Sequence, residues 1–572
     1  MAVIPLLSSP GVQRDGTLLA STAYTDAQWC RWQRGLPRKM GGYKNTQPYL
    51  VAVSRALYSQ AQSGYRYIYS GTPTTVDQFT IDNTGVASAV VNPSIPATTF
   101  PTTAGLPVGL QSNSWQFESQ FDNNNGVNMI FAHCAQNLLD PANASNFPLY
   151  AASIYSPTAW NYVGPNGIGT GAKTGFVQIP GNASGSDGHG GTLQALFPNG
   201  ISGGIVSLQP YMIVYGNDGF FAWSTPGYPT DFIGATLGQL YVGATQITNQ
   251  KIIKGLPLRG GGGYSPAGLF WSVDSVVRAT FVGIPNGTWQ FDQLTTQSSI
   301  LSDRSVIEND GKFYWAGVDR FLMYNGVIQE VPNQMNINWF FDNINPAAAG
   351  KSFCMKIPRY GEIWWCYPRG TNTECSHAVI YNFRENLWYD TALPTDLRSS
   401  GLHADNFVGN IMGSPTPYTY VTLNGSGVQV TNTAYNLWRH EQGLDQIYIQ
   451  NAQQNAVLSS FTTAPICAIN NPQQPSDAMT SIQQLVPDFL QTGDMTCTVL
   501  KQNNMAAPST IGSVVAIKQP NPALPLNQTV PLKDTAKILR LQISSNTLGG
   551  NYQAGKSIVT IQTDGERAIR FF

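Results

Sequence analysis

Gly164-Pro165-Asn166-Gly167-Ile168-Gly169-Thr170-Gly171-Ala172-Lys173-Thr174 is the stretch of this chain that comes nearest to a phosphate-binding loop. That loop needs glycine directly before the lysine, so that the backbone can approach the phosphate. Here Ala172 holds that place, no apolar strand leads in, and no helix pattern follows. A glycine-rich surface loop is the expectation. The histidines His133, His189, His377, His403 and His440 never stand at metal-ligand spacing from one another or from a cysteine. His133 and Cys134 are neighbours, which on a strand sends their side chains to opposite faces. Neither a metal nor a cofactor is expected. Hydrolysis of a glycosidic bond needs two carboxylates at a set separation. The 32 acidic residues are scattered, and no pair stands out. Asn286-Gly287-Thr288-Trp289 matches only the end of the Ser-x-Asp-x-Gly-x-x-Trp box of sialidase-type propellers, with Val282 and Ile284 where serine and aspartate belong. The chain is therefore read as no enzyme.

The basic cluster is Arg31, Arg34, Arg38, Lys39 and Lys44, interleaved with Trp29, Trp32 and Tyr43. Two uses suit it: contact with DNA in a channel, or contact with an acidic face of a neighbouring subunit. In a chain so short of charge the subunit interface is favoured.

The elements that must carry these residues announce themselves by a repeat. Gly219-Phe220-Phe221-Ala222-Trp223, Gly268-Leu269-Phe270-Trp271, Gly311-Lys312-Phe313-Tyr314-Trp315 and Gly361-Glu362-Ile363-Trp364-Trp365 each put an aromatic run after a glycine. Their glycines are 49, 43 and 50 residues apart. Gly409 follows as a degenerate copy, and Gly126 and Gly64 precede. A period of about 40–50 residues is that of four short antiparallel strands, one propeller blade. The blade aromatics Trp223, Trp271, Trp315, Trp364 and Trp365 are expected to wedge between neighbours. Each tryptophan hides roughly 150–250 Å². That is worth about 4–6 kcal/mol gross at about 25 cal/mol/Å². Two hairpins are legible: Cys375–Tyr381 returning as Leu387–Asp390, and Phe321–Tyr324 turning at Asn325-Gly326. The sequence thus predicts an all-β chain: an N-terminal extension over 1–55 serving as interface or platform, a β-propeller of six to eight blades over 56–415, and a C-terminal β domain over 416–572. A loop-rich insertion is expected at about 135–205, with Ser184–Gly191 its extreme. Ala478–Val486, stopped by Pro487, is the one segment expected to be a short helix.

Composition sets the limits. Charged residues make up 11% of the chain, against roughly 25% in ordinary soluble proteins. With 13 Trp, 26 Tyr and 25 Phe it is far too aromatic for a disordered chain. A net charge of -1 does not suit a protein that grips DNA by neutralising phosphates. A weakly charged wall would let DNA slide. Seven scattered cysteines, an odd number without Cys-x-x-Cys, fit folding in a reducing cytosol as small buried hydrophobes. The opening Met1–Leu7 has no basic lead and holds Pro5, so no signal peptide is expected. No apolar run approaches a membrane span of about 20 residues.

Several longer runs carry a resemblance. Asp15-Gly16-Thr17, Gln28-Trp29-Cys30-Arg31-Trp32 and Gly35–Tyr43 resemble the opening of the tail-nozzle, or packaged-DNA stabilisation, proteins of short-tailed bacteriophages. Pro266–Ser272, Lys312–Gly326, Gly361–Gly370 and Gly549–Gly555 are similar to the same family. The likeness is good over about 15–45 and 255–400 and patchy elsewhere. It implies a homo-hexameric ring below the portal and adaptor rings of the virion tail, a propeller in each subunit, and a central channel touched transiently by viral double-stranded DNA. It also implies contact with the tail adaptor and with tail fibre or plug proteins, after synthesis in the host cytoplasm. The alternative is a receptor-binding or polysaccharide-degrading tail protein on the same scaffold.

Overall fold

Short runs rich in aromatic and β-branched residues, broken by Gly, Pro and Asn, pair locally into small antiparallel sheets. The computed structural model is accordingly all-β, with 58% strand and 4% helix. It describes residues 2–46, 50–62, 64–73, 75–82, 86–93, 113–136, 149–167, 170–179, 203–258, 266–283, 289–394, 397–405, 408–423, 429–449, 453–467, 479–504, 507–520 and 529–564.

Six sheets follow one another along the chain, each a simple meander. The first holds Ala56–Gln62, Tyr65–Gly71 and Val76–Ile81. The second holds Asn113–Asp122, Val127–Gln136, Leu149–Ser153 and Val177–Gln178. The third runs from Gly204–Leu208 through Tyr211–Tyr215 and Phe220–Trp223 to Gly243–Gln246. The fourth is Ile252–Pro257, Ala267–Ser272, Val276–Phe281 and Trp289–Thr295. Val306–Asn309, Lys312–Ala316, Phe321–Tyr324 and Ile328–Glu330 make the fifth. Phe353–Ile357, Glu362–Tyr367, His377–Asn382 and Leu387–Ala392 make the sixth. A seventh sheet begins with Ser400–Asp405, Gly409–Leu423 and Gln429–His440, and its next strand is Tyr43–Asn45 from the far end of the chain. Both hairpins read from the sequence lie in this set.

The turn glycines explain why the repeat was visible. Gly311 and Gly361, at φ +76° and +72°, sit in the turn between the first and second strands of their sheets. Gly64 and Gly126 occupy the same turn in theirs and Gly409 opens the strand that follows it, all at positive φ, where a side chain is strained. Two members of the repeat are out of phase. Gly219 lies one turn later, between second and third strands, and Gly268 lies within a strand.

Aromatic seams join successive sheets. Trp271 meets Trp315 edge-on at 5.6 Å between the fourth and fifth sheets. Phe321 meets Trp365 at 4.9 Å between the fifth and sixth, and Phe221 meets Phe270 at 5.1 Å between the third and fourth. Trp223 shares the third-to-fourth core with Trp289. Trp364 faces the other way, edge-on to Trp29 at 5.9 Å. The first sheet packs Ile68, Phe79 and Ile81 against Val408, Ile411 and Leu437 of the seventh.

Three readings are corrected. Ala478–Val486 is not a helix: Met479–Val486 is a strand between Ile558–Asp564 and Val530–Ala536. Partners distant in sequence outweigh its helix propensity, and a bulge between Ile482 and Gln484 masks the alternation. The stretch 135–205 is not merely an insertion. Leu149–Ser153, buried throughout, and Val177–Gln178 complete the second sheet. A strand covered on both faces needs only a short apolar run, so the surrounding Gly and Asn hid it. Among the described residues of this stretch, the hairpin of Trp160–Tyr162 and Gly171–Lys173 departs from the meander. Ser184–Gly191 lies outside the described residues. Finally, 1–55 does not extend from the body. Ala2–Pro5 pairs with Ile558–Asp564, Asp26–Gln28 with Ser459–Thr462, and Leu36–Lys39 with Asn551–Ala554. The N-terminal strands are thus woven into the three C-terminal sheets around one core.

Candidate functional site

The strands Cys30–Gln33 and Leu36–Lys39 form a hairpin whose registry pairs Cys30 with Lys39 and Arg31 with Arg38. That hairpin meets the sixth sheet at a buried charge junction. Arg31 is 1% exposed and Glu362 0%, with Arg31 Nε 2.8 Å from Glu362 Oε1. Arg31 Nη1 donates to Glu441 Oε2 at 2.9 Å. The guanidinium lies over the Tyr360 ring, 3.7 Å from its centre. Burial would depress the Arg31 guanidinium, and Glu362 and Glu441 more than reverse this, so it stays charged. Glu362 also accepts Trp364 Nε1 at 2.8 Å and the Tyr389 hydroxyl at 2.7 Å. Arg31 Nη2 adds a third hydrogen bond to this buried carboxylate, to Oε2 at 3.2 Å. The junction ties the N-terminal hairpin to the sixth sheet.

The remaining basic residues do not gather around it. Lys39 is buried and donates to the Gly550 carbonyl at 2.8 Å. Its burial pulls the amine down to about 8 against the pull of Asp445. Arg34 is exposed at φ +52°, its backbone N–H held by Glu385. Arg38 donates to Gln33 at 2.8 Å and is half-buried, as is Lys44 in the strand Tyr43–Asn45. Arg31 and Lys39 therefore point inward and cannot line a channel or an interface. Arg34, Arg38 and Lys44 keep surface.

Two further ionic ties bind segments far apart in sequence, and nothing in the sequence announced either. Arg55 Nη1 reaches Glu374 Oε2 at 2.8 Å, and Lys351 Nζ reaches Glu374 Oε1 at 2.6 Å. Burial would raise the Glu374 carboxyl, but these two cations hold it below its usual range. Arg66 of the first sheet pairs with Asp405 of the seventh. Ser54 and Ser400 share a hydrogen bond of 2.8 Å across the same seam.

Within the glycine-rich stretch Gly171–Lys173 is a strand paired with Trp160–Tyr162, where a phosphate loop would lead into a helix. His440 is buried beside Arg398, and desolvation drives its pKa well below the usual value. No group of three metal-ligating side chains occurs among the described residues. Cys30, Cys354, Cys366, Cys375 and Cys497 are free and buried. No helix among the described residues is long and apolar enough to cross a membrane.

No family model matches the chain, and no curated protein is found to be similar to it.

Proposed function

We propose that the seven sheets close into a β-propeller, and that the chain is a structural subunit of the tail nozzle of a short-tailed phage. Several observations support a closed ring. The first sheet packs on the seventh through Ile68, Phe79, Val408 and Leu437. Arg66–Asp405 and Ser54–Ser400 cross the same seam. The strand Tyr43–Asn45, which enters just before the first sheet, pairs with Trp438–His440 of the last. A propeller ring is commonly latched by such a return of one chain end to the final blade.

One observation carries the assignment to a structural role. The runs that resemble the nozzle family, 28–32 and 361–370, lie some 330 residues apart and meet at the Arg31–Glu362 junction. Trp29 and Trp364 touch beside it. The family-like residues are thus the ones that weld the N-terminal hairpin to the sixth sheet, and they support architecture in place of catalysis. Assembly into a homo-hexamer below an adaptor ring, with DNA passing through, follows as the function.

The test is electron microscopy and native mass spectrometry of the purified full chain, alone and with a tail adaptor protein of a short-tailed phage. Sixfold rings with an open channel are expected. A protein that stays monomeric under both conditions would overturn the reading.

A further inference from the structure

The strands Gly409–Leu423 and Gln429–His440 run past the rest of the seventh sheet as a two-stranded ribbon. Its register is regular from Pro417 opposite Tyr435 to Leu423 opposite Gln429. Over 417–423 and 429–434 neither outer edge meets another strand among the described residues. Tyr418 stacks on Tyr448 at 6.0 Å and Ala434 is buried, so one face is sheltered near the root. The other face sets Thr419 beside Thr433 and Val421 beside Thr431, all exposed, with Val421 at 59%. Open edges invite further strands, and proteins usually guard them with lysine, proline or a bulge. Here Pro417 and the bulge that precedes it stand at the root. No Asp, Glu, Lys or Arg occurs between Asp405 and Arg439. The Val430 carbonyl is met by the Asn432 side chain at 3.2 Å.

We infer that this ribbon is a contact between copies of the chain: strand 429–434 of one copy adds, edge to edge, to strand 417–423 of the next. Two features select a second copy as the occupant. Identical copies bring identical charges, so their contact is repelled unless its charges pair or are absent. This ribbon carries none. The contact also brings together the residue types that the ribbon already pairs within itself, Thr with Thr and Val with Thr, and such β-branched pairs suit a pleated surface. The direction of pairing rests on the ring reading proposed above. Copies related by rotation about an axis that runs with the ribbons point them the same way. The returning strand of one then lies antiparallel to the outgoing strand of its neighbour.

The full chain is followed over a concentration series by native mass spectrometry, with hydrogen exchange read at the ribbon and with disulfide trapping of cysteine variants. Ribbon amides that exchange fast in the dissociated chain should slow about tenfold or more on assembly. T419C or V421C mixed with T431C should give disulfide-linked pairs in the mixture whose register brings the two together, and no variant alone should. V421K/V430K, at two exposed positions, should keep the wild-type urea midpoint and weaken assembly about tenfold or more. Assembly of any order that meets these expectations supports the contact, and an order other than six then overturns the nozzle reading alone. Sixfold rings whose ribbon amides stay fast, or that V421K/V430K leaves as strong as wild type, overturn the contact alone. Linkage of V421C with itself also overturns it, because like strands would then meet. So does slowing that requires an adaptor protein, because the occupant would then be another chain. A chain that stays monomeric at every concentration overturns both.

Discussion

Burial within the first sheet pushes the Asp77 carboxyl up to about 6 from 3.8, against the Val51 N–H and the Thr75 hydroxyl. Burial beside Arg369 pulls the His377 imidazole down to about 4 from 6.5. The two act in opposite senses. Between pH 4 and 6 the unfolded chain has lost the Asp77 proton that the folded chain keeps, so stability falls as pH rises. Over nearly the same window the unfolded chain carries a His377 proton that the folded chain refuses, so stability rises with pH. Each contribution is on the order of 3 kcal/mol, and in the wild type they offset. D77N should therefore gain stability from pH 4 to 6, and H377Q should lose it, in urea unfolding series at fixed ionic strength. At this scale the sequence was least legible. Arg31 was visible as a basic residue among tryptophans, but its partners Glu362 and Glu441 are hundreds of residues away. Spacing carries no trace of a pairing made by the fold.

At the scale of the element, two glycines share a conformation and differ in surroundings. Gly126 has φ +64° with open space where a methyl would go, whereas Gly219 has φ +68° and a Cβ there would stand 1.7 Å from the Thr248 carbonyl oxygen. G126A should cost only the left-handed strain, about 1–2 kcal/mol. G219A should cost several-fold more, because backbone must move, and chemical denaturation of both variants measures the contrast. The strand Gly409–Leu423 and its partner Gln429–His440 make a second case. Up to Gly413 and from Tyr435 onward this pair is flanked by other strands, and beyond that the two pair only with each other among the described residues. A lone two-stranded ribbon is marginal in water. Amides of Thr419 and Val421 should exchange about 100-fold or more faster than those of Met412 and Trp438 in native-state hydrogen exchange. The four-stranded repeats were legible because a turn glycine and an aromatic strand recur together. Met479–Val486 was not, because its pattern is broken by a bulge and its partners lie far along the chain.

For the whole molecule, 31 Lys and Arg stand against 32 Asp and Glu, and the most basic stretch turns two of its five cations inward. A DNA contact made by such a surface releases few counterions. The slope of log K against log salt should stay within about −2, where a true DNA-binding protein with 6–10 phosphate contacts loses far more. Fluorescence anisotropy with duplex DNA across a salt series measures it, and a steep slope would mean that subunit assembly gathers Arg34, Arg38 and Lys44 into a basic ring. The all-β class and the period of the four-stranded sheets were plain from composition and spacing. The weaving of the first 46 residues into the C-terminal sheets was not, since edge pairings of three or four residues leave no periodic signature.

That weaving bears on how the protein is made. Tyr43–Asn45 waits for Trp438–His440, so about 400 residues must leave the ribosome first, some 20–80 s at 5–20 residues per second. For most of that interval Trp29 and Trp32, which end enclosed, lack their sixth-sheet partners Trp364 and Tyr389. A nascent chain stalled before residue 438 should be a strong client of holding chaperones, and release of that client should coincide with emergence of the last strands.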